Sequence, residues 1–193
     1  IECMERGGRI VVIAPEYGAP STKSDYWIQI RPATDAALWL GVTRVMLDNK
    51  WYDEKFVKQF TDFPLLVRTD NLKRLRADEI IPNYKNGLAK DGPSFKVQGL
   101  TDEQYAKLGD RVVWDAKKDA PAALTRDDVG GRMAALGVEP VLDGKWTIKL
   151  VDGKEVEVTT LWSLYQVHLK AYDADTVADI THSPKALIER LAR

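Results

Sequence analysis

A single cysteine, Cys3, is all the thiol chemistry this 193-residue chain holds. It can close no internal disulfide and build no multi-cysteine iron–sulfur or zinc site from this segment. One thiol leaves the compartment open between cytoplasm and periplasm. Neither charge is in excess: 28 basic against 29 acidic side chains leave a formal net charge of -1. A dedicated nucleic-acid binder usually carries a basic surplus on one face, so no nucleic-acid partner is expected. No block of like charge suggests a polyanion-binding tail. Long apolar runs are missing as well. The longest, Ile10–Ala14, falls far short of the ~18 residues that span a bilayer, and no signal peptide opens the chain. There is no Walker-type loop, no Gly-x-Ser-x-Gly elbow and no Gly-x-Gly-x-x-Gly. The two histidines, His168 and His182, have no second ligand at metal-binding spacing. His168 reads as a core histidine on an apolar helical face, His182 as a loop residue. The six tryptophans are scattered rather than interleaved with basic residues as a stacking platform would be.

What is present is an α/β pattern. Gly7-Gly8 precedes the β-branched run Arg9-Ile10-Val11-Val12-Ile13-Ala14, which reads as a buried strand of a parallel sheet. Turn formers follow from Pro15 to Lys23, then a second strand, Trp27-Ile28-Gln29-Ile30. A helix is expected from Thr34 or Asp35, with Leu38, Val42, Val45 and Met46 as one apolar stripe. A second helix runs from Asp53, its cap, to Phe60, with Phe56, Val57 and Phe60 inward. Leu65-Leu66-Val67 is a short strand or an extended link.

Residues 71–144 read as an irregular excursion, punctuated by Asn83, Asn86, Gly87, Asp91, Gly92 and Pro93. Within it Val112-Val113-Trp114 suggests a strand and Thr125–Leu136 a helix. The basic cluster Leu72–Arg76 reads as a solvated helix face or a subunit contact. Order returns in 145–193. Two alternating stretches, Trp146–Leu150 and Val156–Val158, flank Asp152-Gly153, a strong hairpin signal. Helices follow through Leu161–Leu169, from Asp173, and from the Ser183-Pro184 cap. The start at Ile1 and the uncapped end of the last helix lead us to expect a fragment, one domain or part of one. Its cofactor-nucleotide-binding α/β portion would occupy 1–70.

Two places could carry chemistry. Ligands of open α/β sheets bind beyond the carboxyl ends of parallel strands, which puts Pro15 and Glu16 in position to meet a ribose or a purine. From position alone, Glu16 reads first as a solvated carboxylate. The second place is Arg31-Pro32-Ala33-Thr34-Asp35. A helix N-terminus presents unpaired N–H groups, and the Asp35 carboxylate could accept the adjacent N1–H and N2–H donors of guanine. Thr34 or Asp35 could also be no more than a helix cap.

Taken together these loops resemble a known family. Gly8–Tyr17, Ser21–Ile28 and Ile30–Leu38, in that order and spacing, look like the dimethyl-sulfoxide-reductase family of molybdopterin oxidoreductases. The usual pattern there is a strand ending Asp-Pro-Arg, an Ala-Asp pair before a strand, and Arg-Pro-Gly-Thr-Asp-Ala-Ala-Leu opening a helix. This chain departs from it twice. Ala14 sits where the first aspartate is usual, with Glu16 beyond it, and Ala33 replaces the common glycine. Phe60–Asp70, Val113-Trp114-Asp115 and Asp152-Gly153-Lys154 narrow the resemblance. They look like the branch that holds the alpha subunits of nitrate reductase, nitrite oxidoreductase, perchlorate reductase and ethylbenzene dehydrogenase. Nitrite oxidoreductases look most similar.

The resemblance implies a bis-(molybdopterin guanine dinucleotide) molybdenum cofactor, gripped here through Pro15, Glu16, Pro32, Thr34 and Asp35. It implies oxidation of nitrite to nitrate by oxygen-atom transfer, with a nitrate or other oxyanion reductase as the alternative. The molybdenum ligand and an iron–sulfur cluster would lie upstream of Ile1, leaving this segment with no metal ligand or catalytic residue and inactive alone. The implied partners are an iron–sulfur beta subunit and a membrane-anchoring subunit, which would place the complex at a membrane on an undetermined face. A non-redox nucleotide-binding or interaction module is the alternative of a different class.

Overall fold

The structure is a computed structural model that describes residues 2–85, 101, 103–104 and 109–193. In chain order the strands are β1 (Val11–Ala14), β2 (Tyr26–Gln29), β3 (Leu66–Arg68), β4 (Arg111–Asp115), β5 (Ala120–Leu124), β6 (Lys145–Lys149) and β7 (Glu155–Thr160). The helices are α1 (Glu2–Glu5), α2 (Asp35–Asp48), α3 (Glu54–Phe60), α4 (Ala77–Ile80), α5 (Gly131–Ala135), α6 (Leu161–Leu169), α7 (Ala174–Thr181) and α8 (Lys185–Leu191). The fold is mixed α/β and forms two compact units. One comprises Ile1–Tyr52 with Gln166–Arg193, the other Asp53–Tyr165. Of the punctuating residues, Asn86, Gly87, Asp91, Gly92 and Pro93 lie outside the described residues.

In the first unit β1 and β2 pair in parallel, Val11 opposite Tyr26 and Ala14 opposite Gln29. The expected parallel sheet is thus a pair of strands, and the other strand pairs described are antiparallel. All four β1 residues are half-buried, a correction to the fully buried strand that their β-branched run suggested. The core lies instead behind the stripe of α2. Leu38 and Val42 pack with Ile30, Val177, Ile188 and Ala192, while Val45 and Met46 cover the edge. Fully burying a side chain of this kind stabilises by roughly 1.5–3 kcal/mol. Gly41 lets α7 come close: a Cβ built there would stand 2.8 Å from both Val177 methyls. Asp173 caps α7 as its position promised, accepting from the Asp175 and Thr176 amides. Ser183, by contrast, does not cap α8. Its hydroxyl is drawn to the Gln29 carbonyl at 2.5 Å, leaving Pro184 as N-cap. His168 is exposed, its ring 5.3 Å from Tyr172, so the apolar face of α6 does not enclose it. His182 ends α7 in a left-handed conformation.

In the second unit β3, β7 and β6 form a three-stranded antiparallel sheet, and β4 with β5 form a separate hairpin. The β6–β7 hairpin is the expected one, with Gly153 supplying a φ of 88° and Asp152 accepting from the Lys154 amide. Leu66, Leu75, Val112, Ile148, Val156 and Val158 form its core, and Trp114 stacks on Trp146 at 4.6 Å. Part of the supposed excursion is therefore ordered sheet. The expected helix over Thr125–Leu136 contracts to α5, because Gly130 turns the chain with a φ of 53°. Asp53 caps α3, accepting from Phe56 N at 2.9 Å. Val57 is buried as expected, but Phe56 and Phe60 are exposed and stack on each other at 5.2 Å. Leu72–Arg76 is not a helical face. Backbone bridges from Arg74 to Val67 and from Arg76 to Arg111 hold it extended. Arg68 reaches Asp70 and Glu79, and Arg68 together with Lys154 holds the Asp70 carboxyl down at about 2.

Candidate functional site

Parallel pairing sends both strands out of the same edge. Since Ala14 faces Gln29, Pro15-Glu16 and Arg31–Asp35 leave neighbouring strand ends, where adjacent strands lie about 4.8 Å apart. The structure thus brings all five sequence-predicted residues to one carboxyl edge. Pro15, Glu16, Pro32 and Asp35 are exposed there, and Thr34 is half-buried.

Local bonds set this edge. At its far end Asp25 binds Ile10 reciprocally, its carboxylate accepting from Ile10 N at 2.7 Å while its own amide donates to Ile10 O. Asp25 therefore pins the register of the pair. At the carboxyl end the Trp27 indole N–H donates to Ala14 O at 3.1 Å, and the Gln29 amide to Pro15 O at 3.4 Å. Tyr17 stands edge-on to Trp27 with 5.5 Å between centroids. In the sequence Trp27 and Gln29 read only as strand residues. Their alternation along β2 was the available signal that both side chains point the same way.

The Arg31–Asp35 turn is tied on both sides. Arg31 N donates to Thr181 O at 2.7 Å, and the Thr34 hydroxyl donates back to Arg31 O at 2.6 Å. The hydroxyl is thereby committed to the turn and does not cap α2. The first amides of α2 consequently receive no side-chain acceptor from Thr34. These are open donors with the positive end of the helix dipole behind them. The Asp35 and Glu16 carboxylates form no hydrogen bond or ion pair among the described residues. The edge therefore offers carboxylate acceptors from two loops together with backbone donors at a helix start. That combination suits a nucleotide, whose sugar and base donate and whose phosphates accept.

Ala33 stands at a φ of 65°, in the left-handed region where a Cβ is costly. This accounts for the glycine usual at this place in the resembled pattern. Ala33→Gly relieves the Cβ clash but adds freedom to the unfolded chain, so a net gain of about 1 kcal/mol is expected. Urea unfolding checks it, and an unchanged or lowered midpoint would remove the strain argument.

Among the described residues no cluster of three or more His, Cys, Asp or Glu side chains could hold a metal ion. No helix among them is long and apolar enough to cross a membrane.

No family model matches the chain. The perchlorate reductase alpha subunit of Dechloromonas aromatica is 30% identical over 198 residues, covering 100% of this chain and 21% of that protein. The respiratory nitrate reductase alpha subunit of Haloferax mediterranei is also 30% identical, over 100% of this chain and 18% of its own length. Among solved structures, acetylene hydratase from Pelobacter acetylenicus aligns with 99% of this chain and 13% of its own at a TM-score of 0.43 and 15% identity, too low to bear on the fold. The chain thus spans about a fifth of the length of the curated relatives it matches. The two relatives named here are reductases, and neither is a nitrite oxidoreductase. From end to end, then, the chain is similar to one segment of oxidoreductase alpha subunits.

Proposed function

We propose that this chain is the cofactor-nucleotide-gripping segment of a molybdenum oxidoreductase alpha subunit that interconverts nitrite and nitrate. The observation that carries the reading is the single carboxyl edge on which Glu16, Thr34, Asp35 and the open amides of α2 converge. The donor and acceptor set fits a guanine dinucleotide. Asp35 accepts from the N1–H and N2–H of guanine, and Glu16 accepts from ribose hydroxyls. Pro15 and Pro32 stiffen the two loops, since a proline ring fixes φ and reduces the freedom lost on binding. Thr34 keeps the turn closed through Arg31 O, which leaves the α2 amides for the ligand.

Held there, a bis-(molybdopterin guanine dinucleotide) molybdenum would supply two-electron oxygen-atom exchange, with water as the source of both the oxygen that nitrite gains and the two protons released. This chain's part is to bind and orient the nucleotide end while the chemistry takes place on groups outside it. An iron–sulfur beta subunit to carry the electrons and a membrane-anchoring subunit to hold the complex at a membrane belong to the same proposal. Similarity to a respiratory nitrate reductase supports the reductive direction equally well.

The test uses the purified native complex. Molybdenum content is measured together with nitrite-dependent reduction of an artificial acceptor and nitrate-dependent oxidation of an artificial donor. Stoichiometric molybdenum with either activity supports the proposal, and the faster direction assigns the role. Molybdenum with neither activity moves the substrate to another oxyanion. Absence of molybdenum overturns the proposal.

A further inference from the structure

We propose that the recess of the second unit ringed by Phe60, Arg74, Arg111 and Arg126 binds a small, weakly hydrated oxyanion of the nitrate type. It encloses about 380 Å³, at the small end of the range for ligand pockets. Long-range folding assembles it. The bridge between Arg76 and Arg111 lays the segment of Arg74 along the start of β4. Arg111 pairs with Leu124 at the open end of the β4–β5 hairpin, two residues before Arg126. Cations far apart in sequence thereby meet in one hollow.

The carboxylates in the wall are already engaged. Asp62 Oδ2 accepts from Arg74 at 2.8 Å. Asp128 Oδ2 accepts from the Thr125 amide at 2.7 Å and its hydroxyl at 2.8 Å, and Oδ1 faces Arg132. The Arg111 guanidinium has no hydrogen-bond acceptor and no ion pair among the described residues. The residue is half-buried. Burial, and then the neighbouring guanidinium groups of Arg74, Arg76 and Arg126, push its pKa down, against the Asp62 carboxylate, which pushes it up. A half-buried cation among like charges is costly, and a bound anion offsets that cost.

The shape of the site selects the class of anion. Planar guanidinium forks match oxygens spread around a single centre, so a trigonal or tetrahedral oxyanion is recognised better than a halide. Beneath them lies the apolar cluster of Leu65, Val113, Leu124 and Met133, which penalises an ion that holds its water tightly. The recess belongs to the second unit and the nucleotide edge to the first, so neither proposal requires the other.

The test is residue-resolved modification of the native complex with phenylglyoxal, followed by mass spectrometry of the Arg111 peptide. The exposed Arg6 and Arg9 serve as internal references. If the affinity is on the order of 1 mM, about 10 mM nitrate leaves roughly a tenth of the sites open and slows modification about tenfold. Chloride at equal ionic strength should leave the rate unchanged, and the references should not respond to either salt. Equal rates at Arg111 in nitrate and chloride overturn the proposal. An Arg111 that is unreactive in both salts also overturns it, by showing that a group from elsewhere in the complex already occupies the guanidinium.

Discussion

Asp35→Ala is expected to weaken the hold on the guanine nucleotide by roughly 30-fold to several hundred-fold, since two charge-assisted hydrogen bonds together contribute about 2–4 kcal/mol. The reading is the guanosine monophosphate released by acid from each purified alpha subunit. Fold and binding separate cleanly at this position. Asp35 is exposed and has no partner among the described residues. Its removal costs the structure little beyond the helix-dipole interaction, about 0.3–1 kcal/mol. Asp35→Asn should fall between wild type and Asp35→Ala, because one carbonyl oxygen remains for one of guanine's two donors while the new amide faces the other. Full guanosine content in Asp35→Ala would reduce Asp35 to the first residue of a helix.

The elements that the sequence made plain are those whose signal is local. The α2 stripe, the Asp53 and Asp173 caps and the Asp152-Gly153 turn each combine a periodicity or a capping side chain with the element it starts or ends. The β4–β5 hairpin was harder to read because its turn, Ala116–Asp119, lacks glycine, proline and asparagine. It reaches a φ of 47° at Asp119, whose carboxylate is held by the Trp114 indole N–H. Phe56, Phe60 and His168 sat on apolar faces by periodicity, yet periodicity cannot say how far a neighbour covers that face, and these three side chains stay exposed. At the nucleotide edge, residue types could nominate Glu16 and Asp35. That both loops leave one edge depended on β1 and β2 being neighbours, a long-range fact. The meeting of Arg74, Arg111 and Arg126 is of the same kind. It rests on a bridge spanning Arg76 to Arg111, and no spacing along the chain announces it.

Asp115→Ala is expected to cost about 2–5 kcal/mol, since it removes the acceptor of two part-buried backbone amides, at roughly 1–3 kcal/mol each. Asp115 ends β4 and is fully buried. Its Oδ1 accepts from Lys117 N at 3.1 Å, closing the hairpin turn, and from Glu139 N at 3.0 Å. The second bond belongs to a short zipper. Ala116 N donates to Glu139 O and Val141 N to Trp114 O, both at 2.8 Å. The carboxylate therefore joins a turn to a segment more than twenty residues away, and its loss should loosen both together. Against a total stability of about 5–15 kcal/mol the change is large enough to lower a urea midpoint severely. The nearby Lys117–Glu139 pair, exposed and 3.8 Å apart, is too solvated to compensate. Asp115→Asn keeps one acceptor oxygen for both amides and places its new NH2 where Oδ2 has no partner, so its loss should be the smaller of the two. Equal losses in the two variants would assign the effect to the buried charge rather than to the amides it accepts.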